Sequence, residues 1–497
     1  MNIMKKIYNI FLAITVLGIG SCSLDPDPTT FLSDSNFFST AEETNSAVLH
    51  SYQAMTFLDY LRPYMNIPTT ASEEAFPKEG EGLNINQFEE WNVDDRNQNL
   101  EQFFRLSYVG LNRANTVIEK TKEASYDESL RAKYHGEGLF LRAWHHFMLV
   151  RLFGSTPLRV SAVDQLDEVR GIPDASIEEV YTLIQSDLKE AINLLPIQRE
   201  GGRADRVAAQ ALLSKVYITM ASARQSGSPG YEWVSDADTF YGLASEMASA
   251  VINGQSEYTF DPDLLNIYNV AEPQSFNGPE HIFFIPQDRN GLVEGEFSKL
   301  SKFFIPADTP TTSFLADGTA THGGFGVYVS ELPFLASFDN TDRRKTELIV
   351  NELFDENGVS SWTPSGGESA PFSRKYIDPK FIGDNTSTHP YLLRFTDILL
   401  IYAEAEGPSA EGYTAVNRVR QRAGLPDLTP GLSITDFRDK IIEERSFELA
   451  FEANRLYDLR RTNTVESVLQ DIYGKVIVNN PYFYPIPAIE RQLNPTN

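Results

Sequence analysis

The chain has 497 residues, and its 42 Lys and Arg side chains against 69 Asp and Glu give a formal net charge of −27. This charge argues against binding to nucleic acid and against docking on anionic lipid through a basic patch, because both need clustered Lys and Arg. The single Cys excludes a disulfide framework and a Cys-rich metal site, and 41% hydrophobic residues suffice for a buried core.

The N-terminus has the pattern of a bacterial lipoprotein signal. Lys5 and Lys6 precede an apolar run that is shorter than the roughly 20 residues a membrane-spanning helix needs. The run ends in IGSC, which is similar to a lipobox, whose Cys accepts diacylglycerol. We expect a signal peptide over 1–21, lipidation of Cys22 with palmitate-like chains, and a lipid-anchored tether and N-terminal segment over 22–40. The alternative is an ordinary free cysteine.

Hydrophobic periodicity predicts helices at both ends of the remaining chain. They cover 41–58, 94–119, 137–153, 176–195, 204–223 and 236–252, and then 392–406, 409–423 and 434–461. The fourth segment has the clearest signals, because Ser176 and Glu179 fit a capping box and Pro196 ends the helix. The third segment is apolar on two faces, which indicates a helix packed between two neighbours in a helical-hairpin array.

Composition divides the chain into three parts that form one globular unit. Residues 41–257 predict a helical-repeat region, 258–390 an irregular loop-rich lobe, and 391–497 a C-terminal helical region. In the lobe, Gly, Pro, Ser, Asn and Asp separate short apolar runs, which predicts a few short strands and long loops. The predicted fold class is therefore mainly α, with a tetratricopeptide-like helical-hairpin scaffold and an irregular lobe.

Four segments resemble motifs of the SusD/RagB family of outer-membrane nutrient-binding lipoproteins. They are EGLFLRAWHHF at 137–147, YLLRFTDILLIYAEA at 391–405, AVNRVRQRAGLP at 415–426 and IEERSFELAFE at 442–452. Together with the lipobox, they follow the family's order along the chain. The resemblance implies about four tetratricopeptide-like helix pairs. It also implies a surface-exposed lid that delivers a glycan to a SusC-like TonB-dependent transporter.

The resemblance further implies binding without catalysis, so we expect no enzyme activity, no cofactor and no metal. Peptide capture for the same kind of importer is an alternative ligand, and a helical-repeat scaffold without a small-molecule ligand is an alternative of a different class. The sequence contains no GxSxG, HExxH or P-loop motif. His145 and His146 are adjacent on a predicted helix and point about 100° apart, so they cannot share a metal ion.

Several charged residues favour structural roles. The acidic segment 73–81 indicates a solvated loop rather than a calcium site. Arg394 and Asp397 are three residues apart, and we expect them to pair on one helix face. A further set at three- and four-residue spacing favours an ion-pair network; its members are Glu448, Glu452, Arg455 and Asp458.

Sugar binding needs aromatic faces for the C–H groups of a pyranose ring and planar polar groups for its hydroxyls. The predicted loops offer both kinds of side chain. The candidate ligand-binding residues are Tyr64, Trp91, Asn92 and Asp94 in the first inter-helix loop, and Tyr328 and Trp362 in the lobe. For each of the two tryptophans, packing in a satellite core is the alternative.

The lipobox spacing generates a test of anchoring. Cys22→Ala removes the thiol that accepts the lipid, so the variant should move from the membrane fraction to the soluble fraction. Cell fractionation in a strain that lacks the transporter measures this shift. A variant that stays membrane-bound after a carbonate wash would contradict the lipid anchor.

Overall fold

The computed structural model describes residues 38–165, 168, 170–271 and 274–495. The signal peptide, Cys22 and most of the 22–40 tether lie outside these residues, so those assignments stay predictions. Within the described part of the chain, no helix is both long enough and apolar enough to cross a bilayer.

Helices make up most of both ends of the chain. The first are α1 Ala41–Gln53, α2 Leu58–Thr70, α3 Leu83–Glu89, α4 Gln98–Glu123, α5 Glu128–Phe153, α6 Ile177–Leu194, α7 Arg206–Ser226 and α8 Ala237–Asn253. Shorter ones follow: α9 Gln274–Asn277, α10 Leu300–Phe304, α11 Leu332–Ser337 and α12 Arg343–Leu348. The last are α13 Phe395–Glu406, α14 Ala410–Arg422, α15 Ile434–Glu448, α16 Arg455–Arg461 and α17 Ala488–Leu493.

Consecutive long helices pack against each other, which builds a helical-hairpin array. Helix α4 packs on α5, α5 on α6, and α7 on α8, while α13 returns from the C-terminal part to pack on α8. The capping box predicted for α6 is confirmed, since the Ser176 hydroxyl accepts from the Glu179 N–H and the Glu179 carboxylate accepts from the Ser176 N–H. The predicted mainly α scaffold with a loop-rich lobe is confirmed.

Helix α5 lies at the centre of the array. Every residue from Gly136 to Phe153 is buried, as expected for a helix that is apolar on two faces. His145 packs edge-on against Tyr60 with ring centroids 5.8 Å apart, and a Cβ at Gly110 of α4 would overlap the His145 ring. His145 is therefore a core residue, and burial lowers its pKa to about 3.

Helix α2 is a segment that the sequence patterns predict as a loop. It contains Pro63 and Pro68, each of which removes a backbone hydrogen-bond donor. The helix forms because it is buried: nearly all residues from 60 to 70 are inaccessible to solvent, and α2 packs on α4. The free energy gained by this burial outweighs the lost helix hydrogen bonds.

The lobe contains short strands in small antiparallel sheets. The strands of the chain are β1 Ala75–Pro77, β2 Thr156–Pro157, β3 Asp174–Ala175, β4 His281–Phe284, β5 Thr312–Phe314, β6 Ala320–His322, β7 Tyr328–Ser330, β8 Ile349–Val350, β9 Leu353–Phe354, β10 Ser360–Trp362, β11 Phe372–Ser373 and β12 Tyr391–Arg394. Strands β10, β9, β5 and β6 form a four-stranded sheet. The two-stranded pairs are β1–β7, β2–β3, β4–β12 and β8–β11.

The β4–β12 pair connects the lobe to the helical core. In its register Phe283 lies opposite Leu393, and both side chains are buried. The Phe283 ring packs edge-on against Phe140 and Trp144 of α5, with centroid distances of 4.9 and 5.5 Å. This aromatic cluster joins the β4–β12 pair to the main hydrophobic core.

The predicted helix over 434–461 is interrupted. Helix α15 ends at Glu448 and α16 begins at Arg455, and between them Phe451 and Ala453 have φ values of 64° and 59°. Such positive φ values stop a right-handed helix. The charged residues here therefore do not all pair along one helix as expected: Asp458 pairs with Arg461 within α16, but Glu452 pairs with Lys375 of the lobe.

The charged residues of this region form a set of buried ion pairs, which we call the charge network. At its centre, the Arg394 guanidinium lies 2.8 Å from a Glu280 carboxylate oxygen, 2.8 Å from Glu452 and 3.2 Å from Glu448. Lys375 of the lobe contacts Glu452 at 2.7 Å. The remaining members are Arg344, Asp342, Arg422 and Glu444, and every side chain of the network is at most 3% exposed.

A second buried cluster forms around Asp397. Its carboxylate oxygens lie 2.7 Å from Lys215 of α7 and 2.7 Å from Arg445 of α15. The prediction that Asp397 pairs with Arg394 is wrong, because Arg394 belongs to β12 and points to the charge network. Burial alone would raise the pKa of Asp397, but Lys215 and Arg445 outweigh burial and hold that pKa below its usual range.

Asp397→Asn should destabilise the fold by about 3–5 kcal/mol, because it leaves Lys215 and Arg445 buried without their shared counter-charge. In the wild type this stabilisation is present above pH 4, the ordinary range of an Asp pKa, and is lost as the pH falls below it. Urea unfolding at pH 7 measures the difference. Asp439→Asn, at an exposed position of α15, is the matched control. Equal stability of the two variants would contradict the ion-pair assignment.

The buried His145 predicts a loss of stability in mild acid. The unfolded chain takes up a proton near pH 6.5, but the folded chain does so only near pH 3, so stability falls as the pH drops below 6.5. His145→Leu should reduce the difference in unfolding free energy between pH 7 and pH 5 by about 2 kcal/mol. Urea titrations at both pH values measure it, with the exposed His50→Leu as control. An unchanged pH dependence would refute a neutral, buried His145.

Candidate functional site

The aromatic residues predicted to bind a ligand are buried in this structure. Tyr64, Trp91 and Tyr328 belong to the main hydrophobic core, and Trp362 belongs to a separate cluster of the lobe. The exposed fractions of Tyr64, Trp91, Tyr328 and Trp362 are 7%, 1%, 1% and 6%, respectively. Of the two interpretations of the tryptophans, packing in a core is therefore the one that the structure has. Ligand contact by these rings stays a prediction, and the structure does not bring the four together on one surface.

Both tryptophans are buried although their neighbours in sequence are polar and exposed. Trp91 has a φ of 50° at the end of α3, and its ring packs on Tyr484 with centroids 6.5 Å apart. Trp362 donates its indole N–H to Asp308 at 3.1 Å and packs on Phe372. In each case the polar neighbours in sequence face solvent while the indole turns inward.

Asn92 and Asp94 are exposed, as expected for polar residues of a ligand site. Asp94 accepts hydrogen bonds from the Gln87 side chain and the Arg96 N–H, so it also shapes the local turn. The acidic segment 73–81 is only partly the predicted solvated loop: Glu79 and Glu81 are exposed, but its first two acidic residues are buried. Glu73 and Glu74 are 2% and 1% exposed, and Arg455 donates to Glu73 at 2.7 Å.

A cleft runs between the helical array and the lobe, where two adjoining cavities of about 500 and 30 Å³ share Thr56, Gln287 and Gly295. We call it the interlobe cleft. Its helical side is formed by the α1–α2 connection and the start of α2, including Arg62. Its lobe side is formed by the segment 284–303. Clefts at such junctions are preferred positions for small-molecule sites.

Glycines bring the two walls of the interlobe cleft together. Gly295 has a φ of 97°, and a Cβ there would lie 2.8 Å from the Thr56 carbonyl oxygen of the helical side. Gly202 has a φ of 81°, and a Cβ there would lie 2.6 Å from the Pro286 ring. Only glycine fits both the backbone conformation and the close approach at these points.

Gln287 is a buried polar residue of the cleft. It is 4% exposed, and its Nε2 donates to the Phe297 carbonyl at 3.0 Å. Its Oε1 has no hydrogen-bond partner among the described residues. A buried acceptor without a donor costs about 1–3 kcal/mol, so Oε1 is a position where a ligand hydroxyl would be stabilised.

A neutral histidine fixes the backbone of Gln287. The Gln287 N–H donates to Nδ1 of His389 at 3.1 Å, and His389 Nε2 lies 2.8 Å from the Ser275 hydroxyl. Burial lowers the pKa of His389 to about 3, so its Nδ1 is unprotonated and can accept. This hydrogen bond holds the Gln287 backbone in place, and the neutral His389 ring brings no charge to the cleft.

Aromatic rings continue from the cleft onto the surface of the lobe. Arg62 lies 5.7 Å from the ring centroid of Phe303, which lines the cleft. Phe325 lies 6.5 Å from Phe303 and is 37% exposed, with Lys302 above it at 5.4 Å. A half-exposed phenyl ring with cationic and amide neighbours suits the C–H face and the hydroxyl rim of a sugar.

Two acidic residues of the cleft, Asp288 and Glu296, form hydrogen bonds within the loop that contains them. Asp288 accepts from the Asn290 backbone and side chain, and Glu296 accepts from the Leu292 and Val293 N–H groups. The loop tip exposes Leu292, which is 92% accessible. Over the described ranges, no group of three His, Cys, Asp or Glu side chains could hold a metal ion.

Two family models match separate parts of the chain. One, described as "SusD family", matches residues 352–496, and the other, described as "Starch-binding associating with outer membrane", matches residues 41–218. Among the relatives, SusD-like protein P2 of Formosa agariphila is 25% identical over 98% of this chain and 97% of its own length.

Solved structures have the same fold. A SusD homolog from Bacteroides thetaiotaomicron gives a TM-score of 0.77 at 22% identity, covering 93% of this chain and 97% of that chain. Surface glycan-binding protein A from Bacteroides thetaiotaomicron, in complex with laminarihexaose, gives a TM-score of 0.74 at 20% identity, covering 92% and 98%. At these identities the likeness establishes the fold alone.

Proposed function

The chain belongs to the SusD/RagB family, and from this premise we propose that it binds an extracellular glycan at the cell surface and delivers it to a SusC-like TonB-dependent transporter. Two comparisons support a glycan as the ligand: a starch-binding description for one family model, and laminarihexaose bound to a protein of the same fold. The protein acts as a binding component and leaves its ligand chemically unchanged. Anchoring through Cys22 at the outer membrane would hold it beside the transporter.

The glycan is assigned to the interlobe cleft, and the unpaired Oε1 of Gln287 carries this assignment. A sugar hydroxyl that donates to Oε1 would satisfy a buried acceptor that has no donor in the described chain. A neighbouring sugar unit would then stack on the exposed face of Phe325, with Arg62 available to hydroxyl oxygens at the rim. The combination favours a neutral oligosaccharide that spans the cleft and the adjacent lobe surface.

Variants in the cleft test this function. Gln287→Met keeps the side-chain length but removes the acceptor, and Phe325→Ala removes the stacking face. Each should weaken binding by about 1–3 kcal/mol, which is roughly 5- to 150-fold. Binding should change little between low and high salt, because the ligand is uncharged. Calorimetry with a panel of neutral oligosaccharides, including laminarihexaose and maltohexaose, measures the affinities, and circular dichroism confirms folding.

Gln421→Met is the matched control, because Gln421 is exposed on α14 and bonds to Asp427. It should bind like the wild type. Wild-type affinity in both cleft variants would remove the interlobe cleft from the site. Absence of oligosaccharide binding together with clear binding of peptides would replace the glycan with the alternative ligand of the same kind of importer.

A further inference from the structure

A second concave surface lies at the C-terminal end of the chain and shares no lining residue with the interlobe cleft. We call it the C-terminal groove. It encloses about 640 Å³, within the usual size range of small-molecule sites. Its walls come from the end of α5, the region of β3, and the segment 479–486.

The aromatic element of the groove is the Phe483 ring, which is partly exposed. Two glycines hold this ring in place. A Cβ at Gly154, where φ is 74°, would lie 3.2 Å from the ring, and a Cβ at Gly230, where φ is 86°, would lie 3.0 Å from it. The ring therefore packs directly on backbone and is fixed before any ligand arrives, which lowers the entropic cost of stacking.

Buried polar atoms accompany this ring. Tyr484 is 4% exposed, and its hydroxyl has no hydrogen-bond partner within the part of the chain that the structure describes. Asp174 uses Oδ2 to accept from Arg491 at 2.6 Å, while its buried Oδ1 has no partner there either. The groove thus combines a hydroxyl that can donate and accept, a carboxylate oxygen and a guanidinium. The charges of the carboxylate and the guanidinium cancel, because Asp174 and Arg491 form a pair.

The backbone of the groove wall is already hydrogen-bonded. The Asn479 N–H donates to the Trp91 carbonyl at 3.0 Å, and the Tyr484 N–H donates to the Leu152 carbonyl at 2.8 Å. The Asn480 side chain accepts from the N–H groups of residues 482 and 483. These four N–H groups are therefore not available to the backbone of an extended peptide, whereas side-chain groups remain for a ligand that is read by its hydroxyls.

The groove also adjoins the loop that the sequence singles out. The Asn479 side chain donates to the Val93 carbonyl at 2.9 Å, and Val93 lines the groove. Asn92 and Asp94, the exposed members of the predicted ligand set, flank Val93. Both are next to the groove in sequence, although only Val93 lines it.

We propose that the C-terminal groove is a second saccharide-binding site, which takes a short stretch of the same kind of neutral glycan. This inference rests on the proposed function for its ligand class. One sugar ring would stack on Phe483, with its hydroxyls bonded to the Tyr484 hydroxyl and the Asp174 carboxylate. One protein molecule would then hold two glycan segments, and a long polysaccharide would gain retention from two attachment points.

Hydrogen–deuterium exchange measured by mass spectrometry tests the proposal on the whole protein. Exchange is compared with and without saturating laminarihexaose or maltohexaose. Protection is expected in peptides from both the 285–303 segment and the 479–486 segment. Ser155→Phe fills the groove from an exposed position and should raise the ligand concentration needed for protection of 479–486 by at least tenfold. Ser186→Phe, on the exposed surface of α6, is the matched control.

Gln287→Met separates the two proposals. It should raise the ligand concentration needed to protect 285–303, whereas 479–486 should become protected at the same ligand concentration as in the wild type. Protection confined to 285–303 in the wild type would overturn the second site and leave the proposed function intact. Protection of 479–486 that is unchanged in Ser155→Phe would also overturn it. Absence of protection in both segments with every oligosaccharide would overturn both proposals.

Discussion

The buried charge network is the interaction on which the relation between helices and lobe depends. Burying a guanidinium in a protein interior costs free energy unless carboxylates surround it. Arg394 is therefore stable in the interior only where its carboxylate partners contact it together. Glu280 comes from the lobe side of β4, whereas Glu448 and Glu452 come from the end of α15 and the break that follows. The network therefore forms only when the lobe and the C-terminal helices are docked together.

The sequence predicts the helical array well where the signals are local. Periodicity and capping place α6 within a residue or two, because both act over a few neighbouring positions. Prediction fails at α2 and at the α15–α16 break, where burial and positive φ values at Phe451 and Ala453 decide the structure. The ion-pair partners also escape prediction: spacing identifies Glu448 and Glu452 as network members, but Arg394 and Lys375 are distant in sequence.

The candidate sites could be predicted less completely than the fold. A polar sequence around a tryptophan does not report where the indole points, and Trp91 and Trp362 turn into cores while their neighbours stay outside. Gln287 carries no local signal, since only the three-dimensional packing shows that its Oε1 lacks a donor. The contacts of Gly295 and Gly202 with the opposite wall likewise leave no local pattern in the sequence. Asn92 and Asp94 are the part of the predicted set that reaches the surface.

The central claim is that charge pairing joins lobe and helices into one cooperative unit with a preformed cleft. Native-state hydrogen exchange across a urea series tests it most directly, by comparing amides of the β4–β12 pair with amides of α5. The account predicts that both groups exchange through the same global unfolding, with equal free energies and equal urea dependence. Exchange of the β4–β12 amides through a separate opening of lower free energy, while α5 stays protected, would contradict it.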